Sequence, residues 1–318
     1  MFDLSSLQDA ARTVYAAMPP TPQYAWPLLS ARIGATVWVK HENHTPTGAF
    51  KVRGGLVYVE ALLRRYSHLT GLVTATRGNH GQSLAYACRA VGVGLWIVVP
   101  KGNSREKNAA MRALGATVIE CGRDFDEARE HAAALAQSKG YYQVPAFHTD
   151  LVRGVATYAL ELFEAVHGLD TVYVPIGMGS GICGLIQARD LLGLKTEIVG
   201  VVSSTADAFA QSFEQGCIVT TSTAQTLADG MACRIPEAEP LAVVRQGAAR
   251  IVRVTDEEVC RGIKALYEDT HNLAEGAGAA ALAALLKERA QQQGRQVAVI
   301  LSGANIDRDQ AASILAEP

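Results

Sequence analysis

Nowhere in this chain of 318 residues is there an uninterrupted apolar run long enough to cross a bilayer, and neither sign of charge prevails. With 29 Lys and Arg against 31 Asp and Glu, there is no electrostatic case for nucleic acid or an acidic membrane surface as a partner. Cysteine is sparse. Cys88, Cys121, Cys183, Cys217, Cys233 and Cys260 are scattered, with no two at the spacing of a metal knuckle or redox pair. The first twenty residues, MFDLSSLQDAARTVYAAMPP, are acidic before they are basic and hold no apolar core, so a signal peptide is not expected. Internal repeats, low-complexity tracts and Gly/Ser linkers are missing as well. Together these absences lead us to expect a cytoplasmic protein, with reduced thiols, whose partners are small molecules.

What is present is ample material for a core: 49% of residues are hydrophobic and 19% charged. The length suits two lobes or one large α/β domain. Short β-branched runs (VWVK, GLVTA, LWIVVP, TVIEC, TVYVPIG, EIVGVV, IVRVT, VAVILSG) alternate with helical stretches such as GQSLAYACRAVG, REKNAAMRALG, DEAREHAAALAQSKG and GICGLIQARDLLG. Continuous apolar strands separated by helices indicate an α/β fold with a mostly parallel sheet buried on both faces. Ligands in such folds sit at the carboxyl ends of the strands.

Several turns at those ends carry candidate chemistry. In HENHTPTGAFKVRGG, residues 41 to 55, Pro46, Thr47 and Gly48 make a turn and Lys51 opens a helix. The helix dipole disfavours a cation there, which lowers the pKa and suits a Schiff-base lysine, although most lysines at such places are simply solvated. Lys40 competes, but on its strand it has no turn to aim it. In TATRGNHGQS, Gly78 and Gly81 allow close backbone approach, while Thr76, Asn79 and Gln82 offer neutral donors to a carboxylate or phenolate. The plainer reading is an Asn–Gly-type helix cap with His80 as a packed or surface histidine. In VYVPIGMGSGICG, the small residues Gly177, Gly179, Ser180 and Gly181 precede a helix and form a nest for phosphate. Gly179, Gly181 and Gly184 also satisfy G-x-G-x-x-G, but the next strand ends in Val202, Ser203 and Ser204, without the acid a dinucleotide ribose requires. The strand VAVILSGANID ends at Ser302, which either meets a ring nitrogen or caps a turn.

Taken together, over nearly the whole chain and in order, these segments resemble the fold-type II pyridoxal-phosphate enzymes (the tryptophan synthase β-like fold), specifically the threonine/serine dehydratase and serine racemase group. PTGAFKVRG is similar to that group's cofactor-lysine motif, and TLADGMA (226–232) to another of its stretches. The resemblance implies two lobes, each a mostly parallel sheet flanked by helices. Residues 1–70 with 148–318 would bind pyridoxal 5'-phosphate, and residues 71–147 would close over the substrate. Lys51 would carry the cofactor, with Phe50 beside its ring, Asn79 at the phenolic oxygen and Ser302 at the ring nitrogen. Gly177, Met178, Gly179, Ser180 and Gly181 would hold the phosphate, and Glu275 would lie near the ring. Thr76, Gly78, Asn79 and His80 would receive the substrate carboxylate, and Ala146, in Pro145-Ala146-Phe147-His148, would line the side-chain pocket. The implied activity is release of a 2-oxo acid and ammonia from a β-hydroxy amino acid by a homodimer.

Departures from the pattern refine this. Where serine racemase-like members place a hydroxyl before GNHG, this chain has Arg77. A guanidinium stays protonated, which disfavours racemisation; Arg77 is left to bind the substrate carboxylate or to bridge the lobes. The positions matching a divalent-cation site are Val202 and Ala208, so no metal is expected. The less polar 145–148 segment suggests a bulky substrate such as phenylserine. The chain stops soon after SGANIDRDQ, so a regulatory domain is not expected. The rivals are an amino-acid racemase, a threonine synthase-like replacement enzyme, an enzyme degrading a compatible solute, and a non-catalytic ligand-binding protein. The last has no need of Lys51.

Overall fold

Runs such as Val172-Tyr173-Val174 and Val297 to Leu301 have no polar face, and in the computed structural model every one of these side chains is buried. The structure describes residues 1–316 apart from 67 and 124. Its strands are β1 (Gln23–Ala25), β2 (Thr36–His41), β3 (Leu72–Ala75), β4 (Leu95–Val99), β5 (Thr117–Glu120), β6 (Tyr142–Gln143), β7 (Thr171–Pro175), β8 (Glu197–Ser203), β9 (Arg250–Val254) and β10 (Gln296–Leu301). They form two sheets, ordered β1-β2-β10-β7-β8-β9 and β5-β4-β3-β6. Every pairing is parallel except the antiparallel edge pair β1–β2. Each strand expected from the apolar runs forms. β1 and β6, of three and two residues, are too short to show a period.

Helices cover both faces, as a parallel sheet requires. The helix Gly276–Lys287 (GAGAAALAALLK) is buried along most of its length, and its small side chains let it lie close to the larger sheet. A methyl group on Gly278 would fall 2.1 Å from the Gly303 carbonyl oxygen. The helix Lys51–Arg65 joins the two sheets. Its Val57 and Leu62 share one core with Leu72, Leu84 and Ile97 of the smaller sheet's layer, while Gly54 meets the helix Thr149–Ala165.

Register determines where the chemistry gathers. Leu301 pairs with His41, and β10 also pairs with β7, so the carboxyl ends of β2, β10 and β7 lie side by side. The loops that follow them, 42–50, 302–307 and 176–179, therefore converge. β3 of the other sheet delivers Thr76 to Gly78 to the same cleft.

Candidate active site

The turn before Lys51 is fixed by short-range bonds. Thr45 Oγ1 accepts from the Ala49 N–H at 2.9 Å and donates to the Ala49 carbonyl at 2.9 Å. Gly48 adopts φ +67°, and a side chain there would collide with the Asn305 amide. The Phe50 N–H donates to the Ser302 carbonyl at 3.0 Å, anchoring the turn to the end of β10. Lys51 is thus the first residue of its helix. Its Nζ donates to Ser180 Oγ at 2.8 Å and lies 4.9 Å from the Phe50 ring centroid. Among the described residues it has no carboxylate partner, and burial alone pulls its pKa down to about 8.

Ser180 begins the helix Ser180–Leu191, and no side chain caps that end. The first N–H groups of the helix therefore have no partner within it and point at the cup of residues 177–181. Gly179 sits at φ +100° against Pro240. The Phe50 ring and the Tyr158 hydroxyl would lie 3.7 Å from a Gly181 methyl, so this face stays roomy. Tyr158 donates to the Gly181 carbonyl at 2.9 Å and meets the Phe50 ring edge-on. Phe50, Tyr158, Pro175, Gly181 and Ser302 line one small cavity beside Lys51. Met178, in the cup, touches the buried Cys233 through sulfur at 3.7 Å.

Asn79 opens the helix Asn79–Val91 and links the sheets. Its Nδ2 donates to Glu275 Oε1 at 2.7 Å, and its Oδ1 accepts from Asn305 Nδ2 at 2.8 Å. Glu275 is buried, and burial raises its pKa to about 7 against the pull of Lys107 and the Asn79 bond. His80 is pushed down to about 3 by burial and then by Lys51, so its imidazole is neutral. Its buried Nε2 has no hydrogen-bond partner among the described residues. Thr76 Oγ1 accepts from the Gly78 N–H at 3.2 Å, holding the turn.

Arg77 points elsewhere: its guanidinium lies 3.6 Å from Asp229, beside Lys107 at 3.2 Å. Ala146 lies half-buried in the connection from β6 to the next helix and takes no part in these links. Val202 and Ala208 are buried apolar side chains. Three residues of the cleft went unassigned in the sequence: Lys107, Asp229 and Asn305. Asp229 falls inside the TLADGMA stretch and Asn305 within SGAN, and those motifs were the available signals.

Lys40 shows what a structural lysine looks like. Its Nζ donates to Glu161 at 2.6 Å and to the Thr21 carbonyl at 2.7 Å. Arg53, wholly buried, makes two bonds each to Glu42 and Glu161, so two cations face two carboxylates.

The sequence matches the family described as pyridoxal-phosphate dependent enzyme over residues 14–303. It is 35% identical over 279 residues to an L-threonine ammonia-lyase of Geobacter sulfurreducens, covering 87% of this chain and 69% of that one. It is 31% identical over 314 residues to the catabolic L-threonine dehydratase of Escherichia coli K12, covering 98% and 94%. It spans 58–60% of the biosynthetic L-threonine dehydratases it matches. Maize serine racemase has the same fold, with a TM-score of 0.91 at 26% identity over 98% of this chain and 96% of that one. The chain belongs to the pyridoxal-phosphate dependent enzyme family. Its cofactor is pyridoxal 5'-phosphate, and its relatives place it with the threonine/serine dehydratase-like ammonia-lyases. The uncapped cup, the roomy Gly181 face and the unpaired Lys51 fit that cofactor.

Proposed function

We propose that this chain releases ammonia and a 2-oxo acid from a β-hydroxy amino acid, with threonine and serine as first substrates and phenylserine as a bulkier one. One observation carries the reading: Lys51 presents an amine drawn toward neutrality, with no counter-charge, at the mouth of a glycine cup. When bound, pyridoxal phosphate supplies a carbonyl for amines and a ring that takes up electrons released at the substrate's α-carbon.

The residues divide the remaining work. Lys51 Nζ would hold the cofactor and, as a free amine beside the bound substrate, would take the α-proton. Gly177, Met178, Gly179, Ser180 and Gly181 hold the phosphate through backbone N–H groups, and Phe50 flanks the ring. Ser302, on the wall of the same cavity, would offer the ring nitrogen a neutral partner rather than a carboxylate, which would favour loss of the β-hydroxyl. Asn79 has a second amide hydrogen for the phenolic oxygen, beside Glu275. Thr76, Gly78, Asn79 and a neutral His80 receive the substrate carboxylate at the start of their helix. Residues 71–147 close on the rest and exclude water. Arg77, held toward Asp229, transfers no proton, which favours the lyase over a racemase. The likeness to maize serine racemase keeps racemisation as the second reading. Free thiols suit a reducing cytoplasm, and a homodimer is the assembly to look for by sedimentation.

The test is a visible spectrum of the purified protein, then 2-oxo acid release from L- and D-threonine, serine and phenylserine. We expect a cofactor band that Lys51→Ala abolishes, and a loss of turnover on the order of 1000-fold or more in that variant. Inverted substrate without 2-oxo acid would replace the lyase by a racemase. A protein that takes up no cofactor would end both readings.

A further inference from the structure

The turn Asp229–Met231 is wedged into the floor of the cleft. A methyl group on Gly177, the first glycine of the cup, would lie 2.1 Å from the Gly230 carbonyl oxygen. One on Gly276, immediately after Glu275, would lie 2.8 Å from Ala228 Cα. The backbone on either side of Asp229 therefore touches both the phosphate cup and the Glu275 segment, and it has no slack.

From this fixed base the Asp229 carboxylate reaches across to the layer of the smaller sheet. It meets two cations there, Lys107 Nζ at 3.2 Å and Arg77 Nη1 at 3.6 Å. Arg77 belongs to the turn between β3 and the helix Asn79–Val91. Lys107 comes from the helix Arg105–Ala113, and its Cδ lies 2.9 Å from where a Gly78 side chain would begin. Arg77 thus belongs to the 76–80 turn itself, and Lys107 packs against it. The start of the Lys107 helix makes further links to the larger sheet's layer. Ser104 donates to Asp307, and the Glu106 carboxylate accepts from the Arg308 N–H at 3.2 Å.

We propose that Asp229 is a positioning residue: by pairing with Arg77 and Lys107 it holds the 76–80 turn at a fixed height over the glycine cup. The proposal rests on the assignment of these two sites to substrate carboxylate and cofactor phosphate. A single carboxylate serving two cations from different elements fixes the turn in two directions, which one pair does not. The partners are partly exposed, so salt weakens them. Asp229 itself touches none of Lys51, Phe50 or Ser302 among the described contacts, and its effect reaches the chemistry only through the turn.

The experiment is hydrogen–deuterium exchange on the cofactor-loaded enzyme without substrate, read at peptides covering 76–81 and 104–108. Asp229→Asn is expected to speed exchange at 76–81 about fivefold, the scale of two partly exposed ion pairs, with the visible cofactor band unchanged. Asp229→Glu restores protection. In turnover, KM for the amino acid rises by a similar factor while kcat stays within about twofold. Raising the salt from 0.05 to 0.5 M reproduces the KM rise in the unmutated enzyme, because the Debye length falls to about 4 Å, and adds nothing in Asp229→Asn. Unchanged exchange at 76–81 in Asp229→Asn overturns the proposal. If the unmutated enzyme releases no 2-oxo acid, the proposed reaction fails while the exchange result still judges Asp229.

Discussion

Lys40 is buried and Lys51 half-buried with its amine enclosed in the cleft; desolvation draws both below the usual ammonium value, yet the structure treats them in opposite ways. At Lys40 the carboxylates of Glu42 and Glu161 pull back toward the charged form, with Arg53 completing a neutral quartet. At Lys51 nothing pulls back, and its partner is the neutral Ser180 hydroxyl. Burial by itself does not make a lysine reactive. The difference lies in whether its charge is matched. The carboxylates divide in the same way: Glu161 is held below the usual range by Arg53 and Lys40 in spite of its burial, whereas burial lifts Glu275 to about 7. The paired cluster serves the fold. The unpaired one is left free to change protonation.

Breaking the matched side has the largest expected effect. Glu161→Gln removes the carboxylate that accepts from both Arg53 and Lys40 and leaves one of their two charges uncompensated in a buried site, with Glu42 alone facing both. Replacing one partner of such a pair costs about 3–5 kcal/mol. Chemical denaturation of the loaded enzyme should show that loss, while the position of the visible band stays put in the protein that remains folded. A Glu161→Gln protein of undiminished stability would mean that the quartet is not what holds the start of the Lys51 helix.

On the unmatched side the sign reverses, because removing the charge stabilises. The amine of folded apoprotein has its pKa lowered to about 8, so the protonated form pays a desolvation cost that the unfolded chain, near 10.5, does not. Lys51→Met removes that cost. The apo variant should be more stable than unmutated apoprotein by about 3 kcal/mol below pH 8. Its advantage should fade as the pH rises toward 10.5, where the lysine is neutral in both states. Thermal melts of the two apoproteins across pH 7 to 10.5 measure this. A pH-independent difference would show that Lys51 finds a counter-charge after all.

The same contrast explains what could be read from the sequence. Lys51, the cup and the 76–80 turn were legible because each depends on local backbone: glycines where a chain approaches closely, a helix start that follows at once. Parallel strands were legible because burial on both faces leaves no polar alternation. The quartet was not. Lys40, Glu42, Arg53 and Glu161 each look, one at a time, like a charge on a solvated face, and only the packing of the 149–165 helix against the 51–65 helix brings Glu161 to Arg53. Asp229 and Lys107 are separated by 122 positions, and no periodicity joins them. Asn305 was visible in SGAN without any sign that its amide would meet Asn79.

Glu275 sharpens the comparison at its finest point, since among the described residues it is the buried carboxylate without a hydrogen-bonded cation. Its folded pKa of about 7 lies above the ordinary 4.5, so the native state holds the proton more tightly than the unfolded chain. Stability from this group is therefore full below pH 4.5 and is lost as the pH rises to about 7. Glu275→Gln keeps an oxygen for the Asn79 Nδ2–H but cannot ionise. The variant should match the unmutated protein near pH 4.5, gain on it through pH 5 to 7, and level off about 3 kcal/mol more stable above that. Denaturation midpoints at those pH values decide it. A gain already complete at pH 4.5 would mean that the effect comes from packing. No gain at pH 7.5 would mean that Lys107 has become a full partner to Glu275, placing it with the matched charges.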